Sequence, residues 1–397
     1  MDEIRNPFVP GAGSEPPELA GRDEIVREAD IALQRILLGR HSKSQIMLGL
    51  RGTGKTVLLG AIEGLAEKHG YIPSFIEAPD DKTFVELIYP KIFQTLRKLS
   101  LYENAKEKVY RAMRTLRSFA NVSKISMGDL SIAFDPEPGS ADSGILEYDM
   151  VDLFIRVGEA AQAAQTGWAI FIDEVQYLTD KELAALIVAI HRVNQKNLPI
   201  IFFGAGLPQV AELSGDAKSY AERLFNYPTI GSLNNDAAKA ALREPIIKEE
   251  EQITDTALER IILETQGYPY FLQEWGYQAW NTADESPIDE SDVIEARTAA
   301  LKRLDEGFFR VRFDRLTPKE REYVLAMAKL GDGPYRSADV AEVLGEKSQS
   351  LGPCRAQIIH KGMIYSPAYG DIEFTVPMFN DYLHRTFPDY FKTDSRS

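Results

Sequence analysis

Short apolar runs alternate with helical stretches through the first half of the chain. Gln45-Ile46-Met47-Leu48 predicts a buried strand, and from Thr56 to about Glu67 apolar residues recur at Val57, Leu58, Ala61, Ile62 and Leu65, one face of a helix. Ile72 to Ala78 predicts a second strand, and residues 83–117 are mostly helical in period. Trp168 to Ile172 and Pro199 to Phe203 predict a third and a fourth strand, with helices around them. Apolar runs of this length separated by helices are the pattern of a parallel sheet covered on both faces. One piece breaks the rhythm. Residues 119–135, FANVSKISMGDLSIAFD, alternate apolar and polar about Met127-Gly128-Asp129 and predict an inserted antiparallel hairpin. After about residue 231 the strand signals stop. Asn234 to Arg243, Thr254 to Gln266, Tyr270 to Asn281 and Asp289 to Phe309 all carry helical spacing.

The last part changes again. Thr317-Pro318-Lys319-Glu320 places an N-cap threonine before proline at the first helical position and glutamate at the third. Three short helices follow, near residues 318–329, 337–344 and 352–361. Then come two short extended runs, Met363 to Ser366 and Ile372 to Val376, around a turn containing Gly370. Helix, helix, helix, hairpin is winged-helix order. The first 21 residues, with four prolines and three glycines, have no period and predict an extended arm on a domain or a disordered tail. The expected division is an arm at 1–16, an α/β domain at 17–230, a helical domain at 231–309 and a winged helix at 310–397.

Composition narrows the function classes. In 397 residues, 44% apolar and 26% charged side chains are ordinary for globular domains. Sixty acidic against 45 basic side chains give a net charge of -15, which argues against non-specific coating of nucleic acid. A single cysteine, Cys354, excludes an internal disulfide and a cysteine-rich metal module. No apolar run approaches the roughly 18 residues of a membrane span. The acidic, Pro/Gly-rich start is wrong for a signal peptide, so the expected location is the cytoplasm.

Chemistry concentrates in two places. Gly49-Leu50-Arg51-Gly52-Thr53-Gly54-Lys55-Thr56 fits GxxxxGK[ST], after a strand and opening a helix, the context the motif requires. Glycines let backbone N–H groups wrap a β-phosphate, and the helix N-terminus adds partial positive charge. Gly49, Arg51, Gly52, Thr53, Gly54, Lys55, Thr56 and Val57 are therefore the candidate phosphate-binding residues. Lys55 would reach the β/γ oxygens and the Thr56 hydroxyl would bind Mg²⁺. The strand Trp168 to Ile172 ends in Asp173-Glu174, which makes Asp173 the second candidate Mg²⁺ residue and Glu174 the candidate general base for an attacking water.

With these motifs, Gly21-Arg22-Asp23-Glu24, Asp173-Glu174-Val175-Gln176 and Gly267-Tyr268-Pro269, the chain resembles P-loop ATPases of the AAA+/STAND grouping, in particular the origin-recognition-like branch, over roughly residues 17–385. The resemblance implies an α/β P-loop NTPase domain with a parallel sheet, then a helical lid and a C-terminal winged helix, with ATP and Mg²⁺ as ligands. It implies that Arg22 and Pro269 flank adenine. Arg223 follows the fourth strand where an arginine finger would lie, and a finger acting in trans would require a homo-oligomer. Two departures stand out. Phe202-Phe203-Gly204-Ala205-Gly206-Leu207 has no polar sensor side chain at the end of the fourth strand, and the helical part lacks the usual lid-arginine signature.

The third C-terminal helix presents Arg355, Gln357, His360 and Lys361, types that read phosphates and base edges. Charge pulls the other way. From Arg310 onward there are 13 Lys/Arg and 12 Asp/Glu, a net of +1, and the hairpin turn near Asp371 and Glu373 is acidic. Two readings stay open: an ATP-driven switch acting at double-stranded DNA, or a signalling NTPase whose winged helix contacts a protein partner.

Overall fold

Continuous apolar runs leave neither face of a strand free for water, so the strands of the first half must sit inside a covered sheet. The computed structural model describes residues 1–11, 19–78, 82–123 and 135–392, and these group into two units. Arg22–Gly49 and Lys55–Ile230 form the first. Its elements in chain order are α1 (Asp23–Leu37), β1 (Ser44–Gly49), α2 (Lys55–Lys68), β2 (Ile72–Glu77), α3 (Phe84–Leu99), α4 (Lys106–Val122) and α5 (Leu146–Ala163). These are followed by β3 (Trp168–Asp173), α6 (Asp180–Gln195), β4 (Ile200–Gly206), α7 (Val210–Ala217), α8 (Ala221–Leu224), β5 (Phe225–Asn226) and β6 (Thr229–Ile230).

The strands pair in the order β2-β3-β4-β1-β5, with β6 also on β1, and every pairing is parallel. Register sets the site. Ile172 pairs with Gly204 and Leu48 with Gly206, so β1, β3 and β4 end level with one another. Ligands of open parallel sheets bind at that carboxyl edge. Beneath it the sheet is locked by aromatics: Phe171 stacks on Phe203 at 5.3 Å between centroids, and Trp168 meets Phe154 edge-on at 5.0 Å. The Trp168 indole N–H donates to Ser74 Oγ at 2.9 Å, so the buried ring leaves no unpaired donor. Gly167 is obligatory, because a Cβ there would lie 2.2 Å from the Tyr71 ring.

The expected hairpin at 119–135 is corrected at its start, which is helical. Phe119–Val122 is the last turn of α4, whose buried residues Val109, Ala112, Met113, Leu116, Phe119 and Ala120 keep one helical face to its end. Residues 124–134 lie outside the described residues.

The second unit comprises Met1–Gly21, Leu50–Gly54 and Gly231–Ser397. It contains α9 (Asn235–Lys248), α10 (Asp255–Thr265), α11 (Pro269–Thr282), α12 (Glu290–Arg303), a π-helical turn at Leu304–Phe309 and α13 (Arg310–Asp314). Then follow α14 (Pro318–Lys329), β7 (Tyr335–Arg336), α15 (Ser337–Leu344), α16 (Gly352–His360), β8 (Ile364–Tyr365), β9 (Asp371–Phe374), α17 (Phe379–Thr386) and α18 (Pro388–Phe391). The strands make an antiparallel sheet in the order β7-β9-β8. One hydrophobic cluster runs from Phe8 through Trp275 and Phe309 to Leu383, so the helical part and the C-terminal part share a core. The first residues are an extended arm on this unit. Phe8 is 2% exposed and lies over Gly276, where a Cβ would come within 2.6 Å of its ring. Asn6 donates to Tyr277 O at 3.0 Å, and the Trp280 indole donates to Asp2 O at 2.9 Å.

Candidate nucleotide site

Gly49 ends β1 and Lys55 opens α2, so the motif runs from a strand end to a helix N-terminus. Gly52 and Gly54 hold φ of +83° and +90°, backbone that a side chain would strain. The Thr53 hydroxyl turns back to donate to Leu50 O at 2.8 Å. Lys55 is buried, whereas Thr56 is exposed at the start of α2.

Asp173 ends β3 and is only 4% exposed. Its Oδ2 accepts from the Thr56 hydroxyl at 2.5 Å and its Oδ1 from the Glu174 backbone N–H at 2.8 Å. Burial pushes the Asp173 carboxyl above its ordinary range, and the Thr56 hydroxyl and Lys55 pull it back down. The sequence-expected pair is therefore joined directly. Among the described residues no group of three or more His, Cys, Asp or Glu side chains forms a metal cage. One hydroxyl and one carboxylate fit Mg²⁺, a hard cation that takes one or two protein oxygens and completes its shell with phosphate and water.

Glu174 adopts left-handed backbone, φ 56° and ψ 44°, and a single 3₁₀ turn, Val175–Tyr177, follows. Its side chain is not loose. Gln176 Nε2 donates to Glu174 Oε2, and Gln176 Oε1 accepts from the Leu207 N–H at 3.1 Å. Sequence reading assigned Gln176 no role, because its partner lies 31 residues away, at the end of β4.

The loop residues Leu50–Gly54 group with the helical unit. There the Tyr268 hydroxyl donates to Arg51 O, and the Tyr270 N–H donates to Gly52 O at 3.3 Å. Tyr268 is buried, which pushes its hydroxyl pKa up. Pro269 is the first residue of α11 in the same unit. A second guanidinium, unmarked by any motif, joins this group. Arg312 stacks over Phe308, with Cζ 3.6 Å from the ring centroid, and its pKa falls to about 10 through burial first and the neighbouring Arg51 second.

The remaining candidates disperse. Arg22 caps α1 in the α/β unit, half-buried, with its pKa lowered by burial. Arg223 is exposed on the four-residue α8. The His191 imidazole pKa is lowered by burial first, then by Arg192 and Arg223. On α16, Gln357 and His360 are exposed and Arg355 is half-buried. Lys361 is engaged: its ammonium reaches Glu320 Oε2 at 2.6 Å and Arg315 O at 3.0 Å. The hairpin acid Glu373 accepts from the Tyr365 hydroxyl at 2.7 Å. No helix among the described residues is long and apolar enough to cross a membrane.

Comparison with known proteins bears on the fold. Residues 18–202 match the model of an AAA ATPase domain, and residues 306–383 match a domain of unknown function, DUF8462. In sequence, no curated protein matches the chain. Among solved structures, the Walker-type ATPase PABY2304 of Pyrococcus abyssi is similar, with a TM-score of 0.58 at 14% identity, over 92% of this chain and 96% of that one. Orc1 of Aeropyrum pernix, solved in complex with DNA, gives a TM-score of 0.49 at 15% identity, over 96% of each chain. The RuvB Holliday junction branch migration motor of Thermotoga maritima gives 0.45 at 14% identity, over 90% and 94%. The fold of the first unit is that of a P-loop NTPase.

Proposed function

We propose that the chain is an ATP-binding and ATP-hydrolysing molecular switch. The observation that carries this reading is the Thr56–Asp173 hydrogen bond. It joins the residue after the motif lysine to a buried strand-end carboxylate, as a Mg²⁺-nucleotide site requires. In this reading the backbone N–H groups of Gly49–Val57 cradle the β-phosphate and Lys55 neutralises the β/γ oxygens. Thr56 and Asp173 would hold Mg²⁺, which when bound neutralises charge on the phosphate oxygens. Arg22 and Pro269 are assigned to the adenine.

Glu174 takes the proton of a water whose oxygen bonds to the terminal phosphorus, while the bond from that phosphorus to the bridging oxygen breaks and ADP leaves. Arg223 is assigned to transition-state charge. Exposed on α8, it would serve a neighbouring copy, so this role needs a homo-oligomer. The test is Glu174→Gln, which should bind ATP as the wild type does and lose turnover by about 100-fold or more, the scale of general-base catalysis. Full activity in that variant would remove Glu174 from the base role.

The C-terminal element order, helix–strand–helix–helix–hairpin, supports a winged helix that contacts double-stranded DNA through Arg355, Gln357 and His360 on α16. A second reading, contact with a protein partner, is favoured by the commitment of Lys361 to Glu320 and by the acidic hairpin. Fluorescence anisotropy with labelled duplex, with and without Mg-ATP and at two salt concentrations, separates them. ATP-dependent binding that weakens with salt supports DNA. No binding even at low salt supports the protein partner.

A further inference from the structure

The end of β4 offers the site no polar side chain: the strand closes Phe202-Phe203-Gly204-Ala205-Gly206 and continues into Leu207. What it offers is a backbone N–H, that of Leu207, and Gln176 uses it. This contact fixes the orientation of the amide. A backbone N–H can only donate, so the Gln176 carbonyl oxygen must face Leu207, and its NH₂ group must then face the other way. On that side lies Glu174 Oε2, a carboxylate that can only accept.

Gln176 is 9% exposed, so water competes poorly for either end of the amide. Room for it is made by Gly206, where a Cβ would come within 2.8 Å of Gln176 Oε1 and 2.7 Å of Val210 Cγ2. Glu174 itself sits on left-handed backbone between two short elements, β3 and one 3₁₀ turn. Its backbone N–H is spent on Asp173. Its side chain accepts from Gln176, which is in turn anchored to the end of β4.

We infer that Gln176 is a positioning residue for hydrolysis: it holds the Glu174 carboxylate at the height of the β4 end and so aims it at the attacking water. The inference rests on the hydrolytic reading above. Gln176 does not touch the reacting atoms. It supplies, from the turn after β3, the polar group that the end of β4 lacks. The bridge also links the two strand ends, so a shift of the β4 end moves the base.

The test compares Gln176→Met, which keeps length and apolar bulk and loses both hydrogen bonds, with Gln176→Glu, which keeps the acceptor for Leu207 and sets a carboxylate against Glu174. Steady-state ATP hydrolysis, binding of a fluorescent ATP analogue and thermal melting are measured on the full chain. Both variants should lose about 10- to 100-fold in kcat, part of what a general base contributes. Analogue affinity and KM should stay within about threefold, because the lost contact acts after binding. In single-turnover assays Gln176→Met should cost little further in a Glu174→Gln background, since both changes remove one function.

A kcat for Gln176→Met or Gln176→Glu within about twofold of wild type overturns the inference. So does a loss that multiplies with that of Glu174→Gln, or one that appears as weakened analogue binding. A fall in melting temperature that tracks the loss of rate across the two variants would mark Gln176 as structural only. The hydrolytic reading fails separately, if Glu174→Gln retains turnover whatever Gln176 does.

Discussion

Glu182 gives a quantitative check on the scaffold beneath the site. This carboxylate is 6% exposed and serves two helices. Oε2 accepts from the Thr179 N–H at 3.0 Å and from its hydroxyl at 2.8 Å, closing the capping box that starts α6, the helix after the Glu174 turn. Oε1 accepts from the Phe84 N–H at 2.6 Å, at the first position of α3. Phe84 is 1% exposed, so water cannot replace that bond. In Glu182→Gln the amide oxygen must face the two donors of Thr179, which turns the NH₂ group towards the Phe84 N–H, donor against donor. Losing one charge-assisted bond and leaving a buried N–H unpaired should cost about 2–4 kcal/mol. Glu182→Ala also removes the capping box, adding about 1 kcal/mol. Urea unfolding followed by circular dichroism reads the loss, and amide hydrogen exchange at Phe84 reads the bond itself. A Glu182→Gln protein within about 0.5 kcal/mol of wild type, with an unchanged Phe84 exchange rate, would refute the reasoning.

Two further outcomes follow from packing. Phe8→Ala should destabilise the helical unit by about 3 kcal/mol, the usual loss for a fully buried phenylalanine, and expose the arm to proteolysis; an unchanged melting temperature and cleavage pattern would contradict its role as the arm's anchor. Gly167→Ala should lower the melting temperature of the α/β unit by several degrees, since the Tyr71 ring, tied through its hydroxyl to Leu33 O at 2.7 Å, has little freedom to yield; a wild-type melt would show that it does.

What the sequence made legible was what is local along the chain. The phosphate loop, the Asp173-Glu174 strand end and the capped start of α14 each lie within a few residues, so pattern and chemistry coincide there. Pairings across the fold were not legible. Nothing in Asp173-Glu174-Val175-Gln176 indicates that Gln176 reaches Leu207, and nothing on α16 shows that Lys361 is taken by Glu320 from α14. Arg312 lay outside every motif, and its closeness to Arg51 depends on folding. The two-residue strands β5, β6 and β7 are too short to leave a period. The misread stretch at Phe119–Val122 has a specific cause: a helical face ending in Phe119 and Ala120 also reads as the start of an alternation. The arm was undecided between docked and disordered because a single phenylalanine, Phe8, supplies its buried anchor.

The central claim is that the loop from Gly49 to Val57 binds a Mg²⁺-nucleotide. The most direct measurement is a titration of a fluorescent ATP analogue, with Mg²⁺, into wild type and Lys55→Ala, both checked for an intact fold by circular dichroism. Wild type should bind saturably, and the variant should lose about 100-fold or more in affinity, from removal of a charge-assisted phosphate contact in a buried position. Equal affinity in the two proteins would contradict it.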